Sequence, residues 1–301
     1  MITFIGLKNR SAGLVRGVQV SELIQDSNFF DHSVVGSNLD KIHKHVIIVR
    51  NRPNKSLENH LKRNGHIVGY DIIDSASGEF YFRKNPVDYN NHVDDSVYDY
   101  YIVNNTYTKN LVEKCTSKKV FVIPHHHVNF LQNRTYFGES EIKTAGYLGL
   151  PEQLTNKEEI EKIFNSHGID FKTFNPKTRQ DCIEFLSQIQ VGITYMKNQY
   201  YDVFSKAKPN SKIVNYQSFG IVTLCDMFES YVEFGSEGYL IHENIEDFKK
   251  NVQQIVENKS VRKNISDISF NNSKSFNIEN IINKFYTGEI LDYFKDRRMD
   301  G

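Results

Sequence analysis

Short apolar runs recur along the chain, at 2–5, 46–49, 66–70, 98–103 and 119–123, and again at 144–148, 169–174, 191–195, 221–225 and 238–241. Runs this short suit buried strands better than buried helices. Helical spacing fills much of what lies between. Apolar residues recur at Val15, Val18, Leu23 and Ile24, at Cys182, Phe185, Leu186 and Ile189, and at Phe248, Val252, Ile255 and Val256. Strand, loop and helix in alternation is the pattern of a parallel sheet covered on both faces. The alternation runs through two half-chains of similar length. The expected fold is therefore α/β, with two Rossmann-like domains facing each other across a cleft. The expected boundaries are 1–135, 136–275 and a helical tail, 276–301, that packs back across the linker.

With 301 residues there is room for two cores of ordinary size. The chain is 39% hydrophobic and 25% charged, as globular chains are. Lys+Arg and Asp+Glu balance at 37 each. That balance argues against a protein held on nucleic acid by bulk charge, and leaves only a local basic groove to consider. Lys41, Lys44, Arg50, Arg52, Lys55, Lys62 and Arg63 are the charges that would make one in the first half. Cys115, Cys182 and Cys225 are odd in number and far apart, which fits neither a disulfide framework nor a zinc pattern. There is no leader pattern and no apolar run of about 18 residues. A cytoplasmic protein with no membrane span is expected.

The densest cluster of signals lies at 206–225, Lys-Ala-Lys-Pro-Asn-Ser-Lys-Ile-Val-Asn-Tyr-Gln-Ser-Phe-Gly-Ile-Val-Thr-Leu-Cys. It reads as a loop, a short helix, a glycine stop and a buried strand. Asn210 or Ser211 can cap the helix, and Gly220 suits the left-handed residue that ends one. Lys206, Lys208 and Lys212 gather around the helix start. That end is already partly positive, so each cation there is disfavoured by a few tenths to about 1 kcal/mol. Unpaired backbone N–H groups and lysines together make an anion site, with phosphate the usual occupant. A solvated basic loop is the bland alternative.

Other candidates sit at strand ends. The loop after the first strand carries glycines, ending at Gly13, with Arg10 and Arg16 flanking the turn, but lacks the full G-x-G-x-x-G pattern. Asp71 and Asp74 follow the strand at 66–70, where a ligand would lie, or cap the turn there. In Pro124-His-His-His-Val-Asn129, only His125 and His127 could converge, because an extended chain alternates sides. No further ligand set stands at a zinc spacing, so no metal site is expected.

With these pieces placed, the chain resembles glycosyltransferases of the GT-B fold over most of its length. The resemblance is strongest from Lys208 to Ile241, where Lys-Pro-Asn-Ser-Lys, the helix, Gly220 and then Gly-Tyr-Leu-Ile are similar to the family's donor-binding segment. Val122-Ile-Pro with Val128-Asn129 is similar to the end of the family's first domain. The resemblance implies transfer of a sugar from a nucleotide-diphosphate sugar to an acceptor hydroxyl, with no metal and no other cofactor. The donor diphosphate would lie near Lys206, Ser211 and Lys212. Gly149 would allow backbone approach, and Tyr216 would lie near the ribose or base. Domain closure would bring Gly13 and Arg16 over the donor. An inverting enzyme needs a base by the acceptor, and Asp74 and His127 are the candidates. The family's E-x7-E motif is absent, with Ala207 and Asn215 in its place, and Val222 replaces the usual proline. The acceptor is open: a glycan, a lipid-linked sugar, a protein or a modified DNA base. Alternatives to transfer are a non-catalytic sugar-nucleotide-binding module and a nucleotide-sugar epimerase.

Overall fold

Ile2–Gly6 (β1) is buried at every residue, and the strands beside it are the first unit's centre. The computed structural model describes residues 1–73, 89–134, 141–195, 206–234 and 236–299. Contacts divide it into two units. The first is Met1–His125 with Ala207–Pro209 and Ile278–Gly301, and the second is His126–Lys206 with Asn210–Asn277. The divide thus falls between His125 and His126, upstream of the expected 135.

The first unit is a six-stranded sheet in the order β2-β1-β3-β4-β5-β6. The strands are β2 (Asn28–Asp31), β3 (His45–Val49), β4 (Ile67–Asp71), β5 (Tyr100–Val103) and β6 (Lys119–Val122), with β1 inside. Every pairing is parallel, with Phe4 opposite Phe29 and Ile47. The interior strands β1, β3 and β5 are buried throughout, as strands covered on both faces must be. Val46, Ile48, Leu61, Val68, Tyr101 and Val112 form one core cluster. Each such side chain stabilises the fold by about 1.5–3 kcal/mol through the water it sheds. The helix after β1 runs Ser11–Gly13, then a π-wound Leu14–Val18, then Gln19–Ser21. Helix Lys55–Arg63 is capped by Asn54, whose side chain accepts from Leu57 N–H. Helix Thr106–Val112 is capped by Asn105, whose side chain accepts from Thr108 N–H.

The tail, Ile278–Ile281, the π-wound Ile282–Ile290 and Leu291–Met299, closes the first unit. The Tyr286 ring lies 5.8 Å from Phe4, Phe294 lies 5.2 Å from both His45 and Tyr100, and Tyr293 lies 5.6 Å from Phe121. These edge-on and tilted contacts are the favourable aromatic geometries.

The second unit is a five-stranded parallel sheet in the order β11-β10-β9-β7-β8. Its strands are β7 (Thr144–Leu148), β8 (Asp170–Phe174), β9 (Val191–Ile193), β10 (Val222–Asp226) and β11 (Leu240–His242). Helix Arg179–Leu186 begins in a capping box made by Thr178 and Asp181. Helix Ile245–Glu257 is capped by Asn244, and it buries Phe248, Val252 and Ile255 on the sheet core. Helix Ser211–Ser218 precedes β10, and Gly220 between them takes φ +69°, as a helix stop requires. Among the described residues no helix is long and apolar enough to cross a membrane. The two sheets make this an α/β fold of two parallel-sheet units, as the alternation of runs predicts.

Candidate functional site

Two of the expected donor-site residues meet at the carboxyl end of β7. Gly149 follows that strand at φ +141°, a backbone conformation that favours glycine, and its N–H donates to Phe174 C=O at 2.7 Å. A Cβ placed on it would lie 3.0 Å from Lys212 Cε and 3.1 Å from Lys212 Nζ. The lysine therefore lies against the bare backbone of Gly149. Its ammonium also stands 5.1 Å from the centroid of the Tyr147 ring, within cation–π range. Tyr147 and Gly149 flank Leu148, so the end of β7 holds the lysine from two points.

Lys212 belongs to the first turn of helix Ser211–Ser218. Ser211 and Lys212 are half-buried, whereas Ile213 through Ser218 are buried. The expected cap is not made. Asn210 holds the N-cap position at φ −73°, ψ 8°, and its side chain makes no capping bond. An ammonium, a first helical turn without a side-chain cap and a glycine backbone thus share one place, the carboxyl edge of a parallel sheet. Ligands of open parallel sheets are held at that edge. Such a place has the donors for a phosphate.

The other expected contacts distribute differently. Lys206 is half-buried at the start of the described segment. Lys208 is buried and belongs to the first unit, where Asn104 Nδ2 donates to Ala207 C=O at 3.0 Å and Asn105 Nδ2 to Lys208 C=O at 3.5 Å. Tyr216 is not presented to a ribose or base. It is fully buried beneath the second sheet, and its hydroxyl accepts from Leu148 N–H at 2.8 Å and donates to Ile193 C=O at 3.1 Å. The ring fits there because residue 192 is glycine: a Cβ at that position would lie 2.6 Å from it. Burial pushes the phenol pKa well up.

Arg16 is likewise a core residue rather than a surface contact. It is 1% exposed, its Nε donates to Asp71 Oδ2 at 2.8 Å, and its NH1 donates to Ile123 C=O at 2.8 Å and Pro124 C=O at 3.1 Å. The π-wound turn of its helix carries it into the end of the first sheet. Gly13 also serves packing. A Cβ there would lie 2.1 Å from Leu7 C=O, so the loop crosses the helix at backbone contact.

Of the two expected bases, Asp74 lies outside the described residues. His127 is buried, with its N–H donating to Phe276 C=O at 3.1 Å. Burial pulls its pKa down to about 4, so it is neutral at pH 7. A base enclosed in this way is not placed to meet an acceptor hydroxyl. His125 and His126 are buried too. Among the described residues no group of three or more His, Cys, Asp or Glu could hold a metal ion.

The structure adds a cluster with no signature in the sequence. Asp226 and His242 end the neighbouring strands β10 and β11, are each 1% exposed, and approach to 3.5 Å. The His242 ring stacks on Tyr195 at 4.9 Å. Only strand register brings these residues together, so spacing in the sequence cannot reveal them.

Neither a protein-family model nor a curated protein matches the sequence. Solved structures match by fold. HepE of Anabaena, in complex with UDP and glucose, has a TM-score of 0.66 at 9% identity, over 95% of this chain and 98% of that one. A glycosyltransferase from Rickettsia africae has a TM-score of 0.59 at 12% identity, over 98% of each chain. Sucrose-phosphate synthase of Thermosynechococcus elongatus has a TM-score of 0.55 at 9% identity, over 98% of this chain and 99% of that one. At such identities the likeness is one of fold.

Proposed function

From the premise that the chain has the GT-B fold, we propose that it is a glycosyltransferase, moving a sugar from a nucleotide-diphosphate sugar to an acceptor hydroxyl. The observation that carries the reading is Lys212 lying against Gly149 at the end of β7. The fold's likeness to a protein solved with UDP and glucose supports it.

In the proposed reaction the bond between the anomeric carbon and the diphosphate oxygen breaks, and its electron pair leaves with the diphosphate. Negative charge builds on that leaving group. Lys212, the N–H groups of the first turn from Ser211 and the second cation Lys206 stabilise it, which is the larger part of the catalysis. The acceptor oxygen bonds to the anomeric carbon and loses its proton to a base, for which Asp74 is the candidate. Charge neutralisation by fixed donors takes the place of a divalent ion, and the enzyme works in the cytoplasm.

The test is a panel of UDP-, GDP- and ADP-sugars, scored for released nucleotide and for glycosylated product. One of them should be consumed, and chelation with EDTA should leave the rate unchanged. Lys212→Ala should lower kcat/KM by at least about tenfold, the loss expected for one charged donor to the leaving group. Unchanged turnover in that variant would remove the diphosphate assignment. Saturable nucleotide binding with no turnover of any donor would make the chain a binding module instead.

A further inference from the structure

We infer that the carboxyl edge of the first unit's sheet holds a phosphate group carried by the acceptor. The inference rests on the glycosyl-transfer reading and adds the chemical class of the acceptor to it; the phosphate itself does not react. Three cations stand at that edge: Lys8 and Arg10 beyond β1, and Arg50 beyond β3. Among the described residues none of the three side chains has an acidic or hydrogen-bonding partner. The two strands are neighbours, with Ile5 opposite Ile48, and a Cβ on Gly6 would lie 3.3 Å from Val49 Cβ. The loops that carry the three residues therefore leave neighbouring parallel strands at the same edge of the sheet. Lys8 and Arg10 are exposed, and Arg50 is half-buried.

The nearby cations that serve structure look different. Arg52 is paired with Glu58 at 2.8 Å and Asp94 at 2.9 Å, and Lys55 with the same two acids at 3.0 Å each. The acids at the strip are already engaged. Asp31 Oδ2 accepts from Lys8 N–H at 2.8 Å, and its Oδ1 accepts from Ser33 N–H at 3.0 Å and Ser33 Oγ at 2.8 Å. Asp71 is held by Arg16. Burial lowers the pKa of half-buried His32, against the pull of Asp31. The three cations outnumber the Asp31 carboxylate beside them, so repulsion among like charges remains, and an anion between them lowers it.

Arg50 supplies an independent sign. Its φ is +65°, a conformation a non-glycine residue adopts at a cost, and such strain gathers at functional positions. The backbone is pinned there: Arg50 N–H donates to Asp71 C=O at 2.9 Å, and Arg50 C=O accepts from Tyr70 Oη at 2.7 Å. The guanidinium is thus launched from a fixed point. Two planar guanidinium forks with an ammonium match the oxygens of a phosphate monoester better than a neutral sugar.

The test is calorimetric titration of the full chain with glucose 6-phosphate, glucose, glucuronate and a short DNA duplex. Glucose 6-phosphate should bind at least about tenfold more tightly than glucose, as charge-assisted contacts are the stronger ones. Arg50→Gln should lose about tenfold of that affinity, and the exposed pair Lys8→Gln with Arg10→Gln should weaken it comparably. UDP affinity, set in the second unit, is the control that these variants are folded. Equal binding of glucose and its phosphate, or no effect of either variant, overturns the inference. Glucuronate binding as tightly overturns the phosphate, and preference for the duplex overturns the small acceptor. Phosphate binding lost in Arg50→Gln, in a protein that consumes no nucleotide sugar, would sink the glycosyl-transfer reading and leave this site standing.

Discussion

A lysine in the first turn of a helix faces like charge, which costs about 0.3–1 kcal/mol. Lys212 accepts that position, and the Tyr147 ring and the bare backbone of Gly149 hold it there. Its place was legible because the misfit is local: three lysines, a proline and a helix start within seven residues. The fate of Arg16 was not legible, because its partner Asp71 is 55 residues away and its other partners are carbonyls beyond β6. His127 shows the same limit, since a loop histidine in the sequence is a buried one in the fold. Its pKa is held at about 4, below the 6.5 of an ordinary histidine, so the unfolded chain takes up the proton first. The stability it contributes is full above pH 6.5 and is lost as pH falls toward 4, by about 3 kcal/mol at most. Urea midpoints measured between pH 7 and 4.5 should therefore fall less steeply in His127→Gln than in the parent. Parallel slopes in the two proteins would refute the assignment.

At the scale of elements, helix Ser211–Ser218 divides its labour. Its first turn faces the candidate site, and its remainder is core. Tyr216→Phe should cost about 1–3 kcal/mol, because Leu148 N–H would stay buried with its acceptor gone. The same variant should leave nucleotide affinity as it was, which separates a core residue from a ribose contact. Denaturant unfolding and UDP titration read the two effects. A loss of affinity with no loss of stability would restore the ligand role. Most strands could be read from apolar runs, since strands buried on both faces have no polar interruptions. β2 could not. It is Asn-Phe-Phe-Asp at a half-buried sheet edge, and polar ends disguise so short a strand. The start of the helix after β1 is hidden for a related reason: Arg10 at its N-cap makes no capping bond, so no familiar signal marks it.

At the scale of the molecule, the first unit is assembled from both ends of the sequence. Tyr286, Tyr293 and Phe294 cover Phe4, His45, Tyr100 and Phe121. Tyr286 is fully buried, and Tyr286→Ala should cost about 3–5 kcal/mol, as removal of a buried aromatic does. Truncation after Asn277 should go further. Amide exchange in β1, β3 and β5 should rise toward that of an unfolded chain, while β7, β9 and β10 stay protected. Protection of β1 that survived the truncation would contradict this account. The division into two sheets could be anticipated from the repeated alternation, but the allocation of single segments could not. Ala207–Pro209 belongs to the first unit although every neighbour in sequence belongs to the second.

The composite origin of the first unit has a consequence for biosynthesis. Its sheet strands leave the ribosome early, yet the rings that seal them are translated after every segment of the second unit. Domains ordinarily mature in the order they are made. Here every segment of the second unit is made before the rings that cover Phe4 and Tyr100, so the amino-terminal sheet stays open at those residues until the tail is translated.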